Sequence, residues 1–171
     1  MSAFLYASTV PQFLNMLDAL SGMLDRAERH AERQKFDVEV LLNARLAPDM
    51  FHTIRQVQLV CGFAILAVQN LSGEPSKPLP RTETNLAEVR ALIAKTKEIV
   101  SSYAETRFEG GEERLITFPT GPNTTETWTG RDFLLRFVTP NFYFHLSTAY
   151  AILRHNGVRL RKRDYTTFLP R

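Results

Sequence analysis

The 171-residue chain has almost no cysteine: Cys61 is its single thiol, and an internal disulfide is therefore excluded. Its longest apolar run, at residues 59–68, is well short of the roughly 20 residues that cross a bilayer, so we expect a buried helix rather than a membrane anchor. The first residues lack the basic segment and cleavage site of a signal peptide. Together these absences predict a cytoplasmic protein that binds no membrane.

The chain also lacks the short motifs that mark common catalytic sites. There is no HExxH or CxxC metal motif, no phosphate-binding loop and no GxGxxG. Ser147 has no histidine at a fixed local spacing, and Cys61 falls on an apolar helix face, where a thiol acts as a small hydrophobic side chain. The sequence therefore predicts no particular reaction, and it leaves open whether the protein is an enzyme.

Basic charge is scarce except at one end of the chain. The 21 Lys and Arg residues against 18 Asp and Glu residues give a net charge of +3. A nucleic-acid-binding face carries a basic stripe with stacking aromatic side chains, whereas here the basic residues form one short cluster, so we expect no nucleic-acid partner. From residue 154 onward, where Asp164 is the one acidic residue, the basic residues are Arg154, Arg159, Arg161, Lys162, Arg163 and Arg171.

Helical periodicity is abundant. A composition of 44% hydrophobic and 23% charged residues is that of an ordinary globular protein, and the length predicts one domain over residues 1–171. Apolar residues recur every three to four positions over residues 10–33, 48–71, 85–104 and 139–156, with a short additional helix at Glu39–Asn43. Because helices with one apolar stripe pack side by side, the pattern predicts an all-α four-helix bundle.

Capping residues predict where these helices begin and end. Pro48 suits a first helical position, and Gly73 suits a left-handed C-terminal cap. Asn85 with Glu88 predicts a capping box, and Thr139 predicts the N-cap of the last helix, which ends at residues 156–157. Before that helix, residues 115–118 and 125–128 predict a small β-hairpin, and residues 131–138 a short helical lead-in.

The second long helix is apolar on two nearly opposite faces. Ile54 and Cys61 lie in one apolar arc, Leu59 and Phe63 in the other, and no charged residue occurs from residue 56 to residue 73. Such a helix must be covered on more than one side. The pattern therefore predicts a central position in the bundle together with a contact between two copies in a homodimer.

Two histidines are candidates for a binding site. His52 lies near the start of the second helix, one turn before Gln56, and His145 lies at the edge of the last helix's apolar stripe, followed by Tyr150. Two interpretations remain open: a hydrogen-bonded histidine at a core edge, or a substrate or metal site. A catalytic metal site needs three protein ligands. The residue one turn after His145 is Ala149, so we predict no complete metal site, with His52 and His145 as its weak candidates.

Several segments resemble a known family. They are LAPDMF at residues 46–51 with RQVQ at 55–58 and, more specifically, PNFYFH at 140–145, TAYAILRHNGV at 148–158 and KRDY at 162–165. These segments resemble a domain of unknown function that is similar to the DinB/YfiT-like helix bundles, over essentially the whole chain. The resemblance implies a DinB-like four-helix bundle, a fold in which many members are presumed metalloenzymes and dimers.

The resemblance also implies where a metal would lie. In the wider superfamily the metal is held by a histidine of the second helix and a His-x-x-x-His pair of the fourth. His52 and His145 would correspond to two of these ligands, and Ala149 occupies the position of the third. This departure removes one expected ligand.

Three functions remain open at this point. The first is binding of a small molecule or partner, without a complete metal site, in a pocket near His52, Gln56, His145 and Tyr150. The second is a metal-dependent enzyme of transferase or hydrolase type, in which zinc, nickel or iron is held by a degenerate site that a carboxylate such as Asp49 or a water molecule completes. The third is a structural or regulatory homodimer that has no pocket.

Overall fold

Helices form most of the computed structural model, which describes residues 2–166 of the chain. Met1 and residues 167–171 lie outside the described residues, and with them the Arg171 that was counted in the basic end. In chain order the elements are α1 (Ser2–Gln34), α2 (Glu39–Asn43), α3 (Thr53–Ser72), α4 (Leu86–Ser101), a 3₁₀ turn (Glu105–Phe108), β1 (Leu115–Gly121), β2 (Thr124–Thr129), α5 (Gly130–Asp132), a π-helical segment (Phe133–Val138), α6 (Thr139–His155) and α7 (Lys162–Tyr165).

The bundle consists of α1, α3, α4 and α6, with α3 in contact with the other three. α1 also packs along α4 and α6, where the rings of Phe13 and Phe142 lie 4.5 Å apart. The apolar stripes of these helices are buried in one shared core, as the periodicity predicts. The predicted all-α four-helix bundle is confirmed, with one small two-stranded sheet added to it.

α1 begins two turns earlier than the predicted start at residue 10. Leu5 is fully buried, and the ring of Tyr6 meets the ring of Phe108 edge-on at 6.0 Å. The added turns pack against the 3₁₀ turn, so a contact more than 100 residues away in sequence extends the helix. Pro11 lies inside the helix, and its nitrogen has no hydrogen to donate to the preceding turn.

α3 begins at Thr53, so the predicted helix start at Pro48 is wrong. His52 is extended (φ −74°, ψ 169°), which ends the helical backbone there. The Thr53 hydroxyl donates to the carbonyl of Leu41 at 2.8 Å, and its N–H donates to Ala44. These bonds attach the start of α3 to the end of α2, and Pro48 and Asp49 lie in the loop before the helix. At the other end Gly73 has φ 82°, as the predicted left-handed cap requires.

The predicted cap of α4 and the predicted hairpin are both confirmed. The Asn85 side chain accepts a hydrogen bond from the N–H of Glu88, and the Glu88 carboxylate accepts from the N–H of Thr84 at 2.7 Å. β1 pairs antiparallel with β2, with Ile116 opposite Trp128. Ile116 and Phe118 alternate with exposed residues and attach the hairpin to the core.

The predicted helical lead-in before the last long helix is continuous with α6, so Thr139 is not an N-cap. Thr139 itself has helical angles (φ −60°, ψ −49°), and the π-helical segment runs directly into α6. Pro140 lacks the N–H that would bond to the preceding turn, and the wider π turn occurs where that bond is missing. α6 ends at His155, before Gly157 with φ 90°, as predicted.

By length and composition alone, α3 is the one described helix that is apolar enough to cross a membrane. In the structure 72% of that stretch is buried by the rest of the chain, and the core helix of a bundle passes the same test. Its apolar character is therefore accounted for by its contacts with α1, α4 and α6.

Candidate functional site

A buried hydrogen bond joins two of the predicted site residues across the α3–α6 interface. His145 Nδ1 lies 2.8 Å from Gln56 Oε1, and Gln56 Nε2 donates to the carbonyl oxygen of Phe51 at 3.0 Å. A carbonyl can only accept, so the Phe51 bond orients the Gln56 amide and directs Oε1 at the imidazole. His145 Nδ1 must then carry the hydrogen, which leaves Nε2 with its lone pair.

The surroundings of His145 favour its neutral form. Burial, together with the positive charges of Arg55 and Arg81, lowers the pKa of His145 to about 4. Its ring stacks on Phe63 with centroids 5.8 Å apart, and Phe144 meets it edge-on at 5.2 Å. At neutral pH the imidazole is therefore an uncharged hydrogen-bonding group at the edge of the core.

The side chains of His52 and Tyr150, the other two predicted residues, are not part of this hydrogen bond. His52 precedes α3, is half-buried, and has its pKa lowered by burial and by Arg45 and Arg55. Tyr150 lies five residues beyond His145, which turns it to another side of α6, and its ring packs edge-on against Tyr165 of α7 at 5.9 Å. The structure therefore brings Gln56 and His145 together and directs Tyr150 toward α7.

The residues at this place do not fit the metal that the superfamily implies. His145 Nδ1 is engaged by Gln56, and Ala149 supplies no ligand one turn later. Over residues 2–166 no group of three His, Cys, Asp or Glu side chains lies close enough to hold a metal ion.

Phe63, which stacks on His145, also lines a cavity of about 330 Å³. α3 forms one wall, and the connector between α3 and α4 (residues 73–85) and the middle of β1 form the others. Phe137 of the π-helical segment closes an edge. None of the four predicted site residues lines this cavity. Its apolar lining includes Phe63, Leu66, Leu79, Leu92, Phe118 and Phe137.

Hydrogen bonds hold the connector over α3. Gly73 turns the chain back, so that Glu74 N–H donates to the carbonyl of Gln69. The Gln69 side-chain oxygen then accepts from the Lys77 N–H at 2.8 Å, and the prolines that follow keep the chain extended. The connector is thus a fixed wall of the cavity.

Cys61 is buried among the residues of this wall. Burial raises the pKa of its thiol to about 12, so the thiol stays protonated at neutral pH. This agrees with the interpretation of Cys61 as a small hydrophobic side chain rather than a nucleophile.

Sequence reasoning missed the cavity, although one signal pointed to it. Phe63 and Leu66 belong to the second apolar arc of α3, which was expected to meet another subunit. Periodicity shows that an arc must be covered, but it does not identify what covers it. Here the connector and the hairpin lie over the part of the arc at Phe63 and Leu66.

Helix order, bundle core and appended hairpin together define a DinB-like four-helix bundle. A crystal structure of a DinB family member protein from Shewanella denitrificans is 40% identical to the chain, with a TM-score of 0.90. The match covers 99% of this chain and 96% of that one. The chain belongs to the family described as Domain of unknown function (DUF1993), which matches residues 5–166. No curated protein matches the chain.

Proposed function

We propose that this protein binds a small, mainly apolar molecule in the cavity between α3, the connector and β1. The observation that supports this function is the cavity itself, which has a volume of about 330 Å³ and mostly apolar walls. Ligand sites are concave, largely preformed and lined by apolar and aromatic side chains with a few polar groups. The proposal places the ligand beside Phe63, one ring away from the Gln56–His145 pair where the sequence predicted it.

The fixed walls support binding without large rearrangement. α3 is held in the bundle on its other sides, and the connector is hydrogen-bonded to it through Gln69. Phe118 and Phe137, whose ring centroids are 4.5 Å apart, belong to the hairpin and the π-helical segment, and they keep these two elements together at the rim. A preformed site loses little conformational entropy when it binds a ligand.

Binding of phenylnaphthylamine, an uncharged probe that fluoresces in apolar surroundings, tests this function. We expect Leu66→Trp, which fills the cavity, to abolish the fluorescence increase, and Thr117→Trp at the exposed mouth to weaken it. Leu46→Trp is the control, because Leu46 is an exposed leucine away from the cavity. Thermal unfolding of each variant shows whether it is folded. Equal fluorescence with all three folded variants would contradict the proposal.

A homodimer is the second candidate function, and exposed aromatic side chains favour it. Phe144 and Phe51 are 57% and 52% exposed. Both contact the Gln56–His145 pair: Gln56 Nε2 donates to the backbone of Phe51, and the Phe144 ring meets His145. Large apolar side chains exposed together are typical of surfaces that a second chain covers. This candidate is compatible with ligand binding, because neither residue lines the cavity.

A further inference from the structure

Arg81 is a charged side chain in the wall of an otherwise mainly apolar cavity. It follows the prolines of the connector, and its guanidinium reaches across to α3 at Gly62. A Cβ atom on Gly62 would lie 3.6 Å from Arg81 Nη2, so the guanidinium rests against a helix position that has no side chain. That distance is an ordinary van der Waals contact, so the guanidinium lies directly beside α3 at this position.

No carboxylate of the described residues forms an ion pair with Arg81. The nearest acidic side chain along the chain, Glu83, instead accepts a hydrogen bond from Gln58 Nε2 at 3.0 Å. Arg81 is an exposed residue as a whole, but desolvation of its guanidinium against the cavity wall and the positive charge of Arg55 lower its pKa. An anion bound here would stabilise the positive charge of Arg81.

Arg55 adds positive charge but is already engaged. Its guanidinium donates to Gln58 Oε1 at 3.2 Å and lies over the ring of Phe51, 5.5 Å from the ring centroid. His145, whose pKa both arginines lower, is neutral at pH 7. The carboxylate of Glu83 is bonded to Gln58, and its charge also reaches Cys61 in the cavity wall. One guanidinium is thus available, which suits a single negative charge better than a doubly charged phosphate ester.

We propose that the cavity takes an amphipathic carboxylate, with its apolar body among Phe63, Leu66 and Phe137 and its carboxylate on the Arg81 guanidinium. The planar guanidinium donates two parallel hydrogen bonds to a carboxylate, which an uncharged head group of the same size does not match. This inference rests on the function proposed above and adds the charge of the ligand to it.

Octanoate and octanol, which have the same chain length and different head groups, separate the two proposals. Each is titrated against bound phenylnaphthylamine to obtain a dissociation constant. We expect the dissociation constant of octanoate to be about tenfold lower than that of octanol. This ratio corresponds to the lower end of the free energy of a charge-assisted hydrogen bond, as suits a partly exposed site. Arg81→Met should remove the preference while octanol binding stays within about twofold, and Arg81→Lys should retain part of it.

Arg33→Met is the matched control. Arg33 lies in a separate cleft formed with Arg26, Arg29 and Arg159, so both dissociation constants should be unchanged. Equal binding of octanoate and octanol, unaffected by Arg81→Met, would overturn the carboxylate inference and leave cavity binding intact. Absence of probe binding would instead refute the proposed function and the inference with it. Retained octanol binding shows that the cavity of an Arg81 variant is intact.

Discussion

At the scale of single residues, Gln56 and His145 illustrate how a polar pair is retained in an apolar interface. The Gln56 oxygen accepts from His145, and the Gln56 amide nitrogen donates one of its hydrogens to the Phe51 carbonyl. Removing one partner leaves a buried donor without an acceptor, which costs more than the bond itself contributes. The pair is therefore expected to behave as a structural unit of the α3–α6 interface.

Gln56→Leu tests this role. The substitution leaves the His145 Nδ1–H and the Phe51 carbonyl without their partner, and we expect the free energy of unfolding to fall by about 2 kcal/mol. Gln12→Leu is the control, because it removes an exposed hydrogen bond to the Tyr143 hydroxyl. The control should change stability by less than about 0.5 kcal/mol. Urea unfolding at neutral pH measures both values, and similar losses would contradict the prediction.

His145 also predicts a pH dependence of stability. In the unfolded chain the imidazole takes up a proton near pH 6.5, but in the folded protein its pKa is about 4. Between these values the unfolded state binds more protons, so stability falls as the pH falls through that interval. From about pH 7 to about pH 5 the loss due to His145 is about 2 kcal/mol.

His145→Gln isolates this contribution, because glutamine does not titrate. We expect the variant to be less stable at neutral pH but to lose about 2 kcal/mol less than the original chain on acidification to about pH 5. Urea unfolding at a series of pH values gives the two slopes. Parallel slopes would show that His145 titrates alike in both states.

At the scale of elements, the segment between the hairpin and α6 depends on a close backbone approach. Gly130 begins α5, and its N–H donates to the Arg114 carbonyl at 2.8 Å. A Cβ atom on Gly130 would overlap the carbonyl oxygen of Gly111, which is backbone and cannot rotate away. The hairpin and the π-helical segment can meet the bundle only because this position has no side chain.

Gly130→Ala and Gly22→Ala are expected to change stability in opposite directions. The first forces two backbone segments apart and should cost about 3 kcal/mol. Gly22 lies inside α1 with nothing within 4 Å of an added Cβ, so alanine there should stabilise by roughly 0.5–1 kcal/mol. Thermal unfolding of both variants measures the difference. A stable Gly130→Ala protein would show that the close approach is not needed.

At the scale of the whole molecule, apolar and basic surfaces lie in different places. The apolar cavity lies between α3 and the hairpin, whereas Arg26, Arg29, Arg33 and Arg159 line a cleft between α1 and the chain after α6. There Asp164 pairs with Arg26 at 2.7 Å and fastens the short helix α7 to α1. Arg159 of this basic segment therefore lies beside α1.

The homodimer candidate makes a prediction at this scale. Phe144→Glu places a charge on the exposed apolar surface beside His145, and we expect it to convert a dimer to a monomer in sedimentation velocity. Leu135→Glu is the control, because Leu135 is 44% exposed on the π-helical segment. A monomeric original chain, or a dimer unaffected by Phe144→Glu, would exclude this interface.

The sequence predicted the helical segments more accurately than the residues at which the helices begin. The periodicity of residues 10–33 and the cap at Asn85 are local properties, and both agree with the structure. Pro48 failed as a helix start because Thr53 bonds to α2, and Thr139 failed as a cap because the π-helical segment precedes it. The residues next to Pro48 and Thr139 in sequence do not indicate either of these features, so the two helix starts could not be predicted from them.

The candidate site was predicted in part. The pairing of Gln56 with His145 follows from two apolar stripes that face each other, with both residues at their edges. Tyr150 was predicted near them, but its ring packs against Tyr165 of α7. Arg81 received no role, since a cation that follows three prolines has no periodicity from which its direction can be inferred.

By itself the sequence determined the helical segments, their apolar stripes and the hairpin, because propensity, periodicity and capping act within a few residues of one another. Only the tertiary structure decided which side of α3 the connector covers, and with it the cavity, the position of Arg81 and the low pKa of His145. Those properties depend on burial and on charges brought together from distant parts of the chain, and such burial exists only after the helices have packed.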